Sequence, residues 1–243
     1  MILDNLLDFL YPPYCVACGV LLPGGGKRRV CDLCISRIAR ISEPFCLICG
    51  APALKSALDR AGRCPRCQKS QPNFRTARSA ARYTPHMDEE EGTIGSIIRR
   101  HKYGLDQSLG RALAECIGEL PFGRGVYDTV IPVPLHRRRL RWRGFNQAAL
   151  LGLEIARRLD CPCDLRALAR IRPTPPQTFR NHRARAHNVR GAFTVTEPRR
   201  VGGKRLLLVD DVMTTGATAD ECARILRAGG AGAVDVFTLA RVL

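Results

Sequence analysis

Residues 204–218 read KRLLLVDDVMTTGAT, and this stretch decides the fold. Leu206, Leu207, Leu208 and Val209 form a wholly apolar run, as expected of a parallel strand buried on both faces. Asp210 and Asp211 follow at its carboxyl end, the end at which doubly wound sheets bind ligands. The run Thr214, Thr215, Gly216, Ala217 and Thr218 then opens a helix. Glycine permits close backbone approach, hydroxyls donate to oxyanions, and a helix N-terminus adds N–H groups and partial positive charge. Two adjacent carboxylates repel phosphate but accept hydrogen bonds from vicinal hydroxyls, which suits a ribose. A plain helix cap needs one Asp or Thr; the pattern here exceeds that need, so the reading is a ribose 5-phosphate cradle.

Working outward, apolar strands alternate with helices from about residue 76 onward. Strands are expected at 78–83, 127–133, 206–209 and 233–242, with helices at 92–103, 108–120, 146–159 and 218–228. That alternation predicts an α/β fold with a doubly wound parallel sheet, over 76–243. Residues 170–191 show no period and carry Pro173, Pro175 and Pro176, as a lid would.

Residues 1–75 differ and form a separate, cysteine-rich unit. Of 12 cysteines in the chain, eight lie in four CxxC pairs: Cys15/Cys18, Cys31/Cys34, Cys46/Cys49 and Cys64/Cys67. Two such pairs close one tetrahedral zinc site, so four pairs predict two structural Zn²⁺ sites in a double zinc ribbon. Intervening lengths of 12, 11 and 14 residues allow sequential pairing, which is favoured, or a cross-braced arrangement. Redox chemistry at the CxxC pairs is the competing reading. Gly19 and Gly50 follow second cysteines, where a knuckle turn needs positive φ. Cys116 and Cys222 fall in expected helices and read as buried, inert thiols.

The 243-residue chain has a formal charge of +17, unevenly spread. Residues 129–153 hold five arginines and no acid, and residues 165–196 hold seven arginines and no acid. Such runs suit phosphorylated metabolites, nucleic acid or anionic lipid. No run approaches a membrane span. The start MILDNLLDFL lacks signal-peptide features and reads as a short amphipathic docking helix, so a cytoplasmic location is expected.

VDDVMTTGAT at 209–218 resembles the phosphoribosyl pyrophosphate (PRPP) motif of type I phosphoribosyltransferases. Together with VIPVPLHRRRLRWRGFNQA at 130–148, RPTPPQTFRNHRARAHNVRGAF at 172–193 and the paired cysteines, the chain resembles the ComF family. The resemblance implies a phosphoribosyltransferase-like domain that binds PRPP or ribose 5-phosphate with Mg²⁺. It places the ribose hydroxyls on Asp210 and Asp211, and the 5-phosphate on residues 214–218. It gives Pro134 and His136 a pyrophosphate-binding loop, Arg143, Asn146 and Gln147 the signature RGFNQ, and Gln177, Arg185 and Asn188 a flexible hood at about 170–191. Lys102, in HKYG, resembles a phosphate-reaching lysine. Purine enzymes of this superfamily carry a carboxylate where Thr214 stands, which argues against purine salvage. The resemblance also implies a role in natural competence and DNA uptake. Direct partners there are single-stranded DNA and competence proteins, and a zinc-containing DNA-binding factor without turnover is the alternative to an enzyme.

Overall fold

The structure, a computed structural model, describes residues 13–22, 28–84, 93–103, 109–173 and 189–243. The amphipathic start at residues 1–10 lies outside them. Four parallel strands form the main sheet: β1 (Ala77–Tyr83), β2 (Thr129–Pro132), β5 (Arg205–Met213) and β6 (Ala233–Val242), in the spatial order β1-β6-β5-β2. A separate antiparallel pair, β3 (Leu168–Arg170) and β4 (Phe193–Val195), lies between β2 and β5 in sequence.

Side chains alternate across the sheet. Leu207 and Val209 share one apolar cluster with Phe237 and Leu239, while Leu206 and Leu208 share another with Val234 and Val236. Helices α3 (Ile94–Tyr103), α4 (Leu109–Ile117) and α6 (Gln147–Leu159) cover the first face, through Ile97, Leu113, Leu151 and Ile155. Helix α7 (Ala217–Ala228) covers the second, through Ala219, Cys222, Ala223 and Leu226, beside Leu168 and Phe193 of the antiparallel pair. Burying both faces explains why the β5 sequence is apolar without alternation. The expected doubly wound parallel sheet is therefore present.

The ribbons complete the sheet. Their connecting segment runs along the free edge of β1: Arg40 bridges Ala81, and the Arg82 N–H donates to the Ala39 carbonyl at 2.7 Å. On the far edge, the Val130 N–H donates to Pro162 O and the Asp164 N–H to Val130 O, both at 2.9 Å. Both exposed edges are thereby occupied. Cys15, Val30, Cys34 and Ile38 of the first ribbon belong to the same cluster as Leu113 and Phe237, and Cys46, Cys49 and Cys67 of the second belong to that of Leu206 and Leu226. Short helices α1 (Asp32–Ser36) and α2 (Pro65–Lys69) end the two ribbons, each starting directly after a cysteine, Cys31 or Cys64.

One buried polar network lies away from the crevice. Asp235, 1 % exposed, accepts from the Arg75 Nε at 3.0 Å, the Tyr127 hydroxyl at 2.9 Å and the Thr76 N–H at 3.2 Å. Burial, followed by the Asp235 charge, pushes the Tyr127 phenol well above its ordinary value.

Candidate functional site

β2 and β5 are hydrogen-bonded neighbours whose following helices leave in opposite directions, α6 to one face and α7 to the other. The connections diverge at the carboxyl ends of these strands and open a crevice there. The β2–β5 ladder stops at Pro132 and Val209, whereas the β5–β6 ladder continues to Met213 and Arg241. β5 is thus longer than the expected 206–209. Asp210 and Asp211 sit within the strand, past the point where β2 leaves it, and are half-buried. The Asp210 Oδ1 accepts from the Asp211 N–H at 2.9 Å, and the Asp211 Oδ1 from the Val212 N–H at 2.7 Å. These local bonds hold each carboxylate in a fixed orientation.

The chain then turns through Thr214, Thr215 and Gly216 into α7. Thr215 is buried, and its Oγ1 accepts from the Ala217 N–H at 3.3 Å. Gly216 occupies the N-cap with φ +79° and supplies no side-chain cap, so no side chain of the cap residue competes for the first-turn N–H groups of α7. A Cβ on Gly216 would lie 2.7 Å from the Met213 Cε. Asp210, Met213, Thr214, Gly216, Thr218 and Thr238 line a cup of about 20 Å³, room for about one water or one ligand oxygen.

The loop after β2 is the crevice's other wall. The Val133 N–H donates to the Val209 carbonyl at 2.8 Å, and the half-buried Pro134 follows. His136 caps the short helix α5 (Arg137–Arg143), its Nδ1 accepting from the Arg138 N–H at 3.4 Å. Burial, then the charges of Arg137, Arg138, Arg170 and Arg141, lower the His136 pKa and favour the neutral acceptor form. Asn146 caps α6 through its Oδ1 to the Ala148 N–H at 3.2 Å, and its Nδ2 donates to the Val133 carbonyl at 3.0 Å. Gln147 is 2 % exposed and accepts from the Arg143 Nη1 at 3.3 Å. Asn146 thus ties the start of α6 to the β2 loop, and Gln147 ties it to Arg143.

β3 and β4 bring the ends of the expected hood together; the Ile171 N–H donates to the Ala192 carbonyl at 2.9 Å. Gln177, Arg185 and Asn188 lie outside the described residues, as does the side chain of Lys102, whose backbone is in α3. Arg170 stacks over the Phe193 ring, 5.3 Å from its centroid. Its pKa is lowered by burial first and by Arg139 next, against a raising contribution from Asp210. Arg139 of α5 and Asp210 of β5 therefore both act on Arg170 of β3, a relation the sequence reading did not identify.

The cysteines gather into two four-sulfur clusters, Cys15/Cys18/Cys31/Cys34 and Cys46/Cys49/Cys64/Cys67, with all ligand atoms of each within 4.8 Å of one another. Pairing is sequential, not cross-braced. The first thiol of each cluster accepts from the backbone of the third cysteine, Cys31 N–H to Cys15 Sγ and Cys64 N–H to Cys46 Sγ, both at 3.3 Å. Burial raises the Cys15 and Cys46 thiols, but such N–H bonds outweigh it and bring both to about 7. Gly19 and Gly50 have φ of +74° and +69°, as the knuckle turns require. Four sulfurs at mutual contact distance fit a closed structural Zn²⁺ site with no position left for water. Cys116 and Cys222 are buried and belong to neither cluster; burial pushes the Cys116 thiol up to about 12.

Among the described residues no helix is long and apolar enough to cross a membrane. The double zinc ribbon domain family matches residues 6–69. DNA utilization protein YhgH of Escherichia coli O157:H7 is 34% identical over 224 residues, covering 90% of this chain and 92% of that protein. Competence protein ComFC of Bacillus subtilis is 27% identical over 88% of this chain and 85% of its own length. A B. subtilis glutamine phosphoribosylpyrophosphate amidotransferase structure, complexed with ADP and GMP, aligns with 61% of this chain and 27% of its own, at 23% identity and TM-score 0.36. On the near full-length match to YhgH, with the ribbon match and the two four-cysteine clusters, the chain belongs to the ComF family.

Proposed function

We propose that this chain binds PRPP, or its ribose 5-phosphate part, with Mg²⁺ in the crevice between the β2 and β5 loops, and that phosphoribosyl transfer to an acceptor is the chemistry the site supports. The observation that carries this reading is the β5–α7 turn, where two oriented carboxylates precede a helix whose N-cap is a glycine and whose first N–H meets the Thr215 hydroxyl. Asp210 and Asp211 take the ribose hydroxyls. Thr214, Thr215, Gly216, Ala217 and Thr218 take the 5-phosphate, one oxygen of which fills the 20 Å³ cup. The loop carrying Pro134 and His136 faces the pyrophosphate, with Asn146 and Gln147 holding its shape and Arg143, Lys102 and the hood residues Gln177, Arg185 and Asn188 adding donors. Mg²⁺, held mainly by substrate oxygens and water, would neutralise the diphosphate leaving group. Arg139 and Arg170 supply further positive charge where the polyanion lies.

A second reading rests on α5, in which Arg137, Arg138, Arg141 and Trp142 are all exposed. That pattern suits single-stranded DNA, as do the names of the relatives, and gives the chain a place in DNA uptake without turnover. Calorimetry with PRPP and Mg²⁺ tests the first reading. Wild type is expected to bind, and D210N and D211N to weaken binding at least about tenfold each, roughly 1.4 kcal/mol. Absence of binding by wild type to both PRPP and ribose 5-phosphate overturns it.

A further inference from the structure

The two ribbons are built alike but are attached to different machinery. Each ends in a five-residue helix that starts after the third cysteine of its cluster. The second residue of those helices is Leu33 in the first ribbon and Arg66 in the second. Leu33 is 59% exposed. Arg66, at the same place in the repeat, donates through Nη2 to the carbonyl of Thr215 in the phosphate loop. The first ribbon instead engages α4: the Val30 N–H donates to Glu115 at 2.9 Å, and the Arg40 Nη1 to the Ile117 carbonyl at 2.8 Å.

A second route runs through the last strand. Arg241 is only 5% exposed, and among the described residues no carboxylate forms an ion pair with it. Its Nη1 donates to the Cys49 carbonyl at 2.7 Å and contacts the Met213 Sδ at 3.1 Å, while its Nη2 lies 3.9 Å from the Cys49 Sγ. A buried cation needs a compensating anion. Four thiolates on a divalent zinc leave a net charge of about −2, and the second cluster is the anion at hand. Met213 in turn packs under Gly216. Farther along α7, the Asn73 N–H donates to the Asp220 Oδ1 at 2.6 Å, fixing the first turn of the helix to the chain just after the ribbon.

We propose that Arg66 and Arg241 are positioning residues through which the metal held by Cys46, Cys49, Cys64 and Cys67 sets the conformation of the phosphate loop, a task in which the first metal has no part. The metal fixes α2 and the Cys49 turn; these hold Arg66 and Arg241; and the two arginines hold Thr215 from one side and Met213, beneath Gly216, from the other. The idea rests on the loop being a phosphate site only for its consequence in binding, since loop order is measurable without ligand.

The test uses the full chain with zinc in both sites, verified by metal analysis at about two per chain. Amide hydrogen exchange over residues 213–218 is compared in wild type, R66A, R66K and L33A without ligand, and PRPP affinity in the presence of Mg²⁺ is measured alongside. R66A is expected to speed loop exchange about tenfold and weaken PRPP about tenfold, the loss of one charge-assisted bond, with zinc content and exchange in the middle of β5 unchanged. R66K restores part of both effects, and L33A changes neither. C67S, which removes one second-cluster ligand, loosens the same amides, whereas C34S loosens α4 instead. Loop exchange that is unaltered in R66A, or equally fast in L33A, overturns the proposal. If wild type binds no PRPP, the ligand assignment fails, and the exchange contrast still decides the coupling.

Discussion

Gly216 concentrates the constraints on the phosphate loop. Its φ of +79° lies where residues with a Cβ are strained, and the Met213 Cε stands 2.7 Å from where that Cβ would be. Met213 cannot give way freely, because its sulfur touches the buried Arg241. G216V is therefore expected to destabilise the chain by about 1–3 kcal/mol, the cost of a strained left-handed residue and a displaced neighbour. It should also abolish measurable PRPP binding while leaving zinc content intact, with thermal melting and calorimetry as the readouts. A variant that binds as tightly as wild type contradicts the assigned role. The strand-to-helix turn that carries Asp210, Asp211 and Gly216 was legible in sequence because its signal is local: an apolar run, then a glycine-containing turn, then a helix. Arg66 was not legible, since its partner is 149 residues away and nothing in PRCQK points to Thr215. Asp235 escaped for the same reason, with partners more than 100 residues distant.

Short elements were harder to read than long ones. The helix α5 lies between the strand expected at 127–133 and the helix expected at 146–159, where no element was expected, because Arg137, Arg138 and Arg139 oppose the helix dipole at its start and no acid offsets them. What starts it is His136, a neutral acceptor for the Arg138 N–H. Burial and four nearby arginines keep the folded-state pKa of His136 below its free value. A histidine depressed in this way stabilises above its unfolded pKa, near 6.5, and loses that contribution as pH falls through the folded value. The imidazole is thus expected to titrate below about 6.5 by NMR, with amides of residues 137–140 exchanging faster once it has protonated. A midpoint at or above that value contradicts the cap. The pair β3 and β4 was missed because three-residue strands are too short to display alternation. Their partners are joined only across the proline-containing stretch. By contrast, β6 and α6 carry periods of ten or more residues, and the expected 233–242 and 146–159 match them to within one residue.

At the scale of the molecule, a charge of +17 is spread unevenly, with two arginine-rich segments that hold no acid. Those segments, far apart in sequence, come together at Arg170, on which Arg139 of the other segment and Asp210 both act. The proposed diphosphate site calls on those inner arginines. Arg137, Arg138 and Arg141 point to solvent on α5, beside Trp142, which is 67% exposed. An exposed tryptophan among unpaired-sign charges is a poor way to hold a small metabolite and a good way to hold a strand, with the indole stacking on a base and the guanidiniums on successive phosphates. The two contributions separate experimentally. Binding of a single-stranded oligonucleotide, followed by fluorescence anisotropy between about 50 and 200 mM salt, should weaken with a log–log slope of roughly −0.7 per phosphate neutralised. Replacing Arg137, Arg138 and Arg141 with alanine should flatten that slope by about 2, whereas W142A should weaken binding by about 1–3 kcal/mol with the slope unchanged. D210N, aimed at the proposed ribose site, should leave both measures as in wild type if the strand lies along α5 alone. A loss of strand affinity in D210N places the phosphate loop on the nucleic-acid path as well, and an oligonucleotide that fails to bind wild type even at low salt removes α5 from DNA handling altogether.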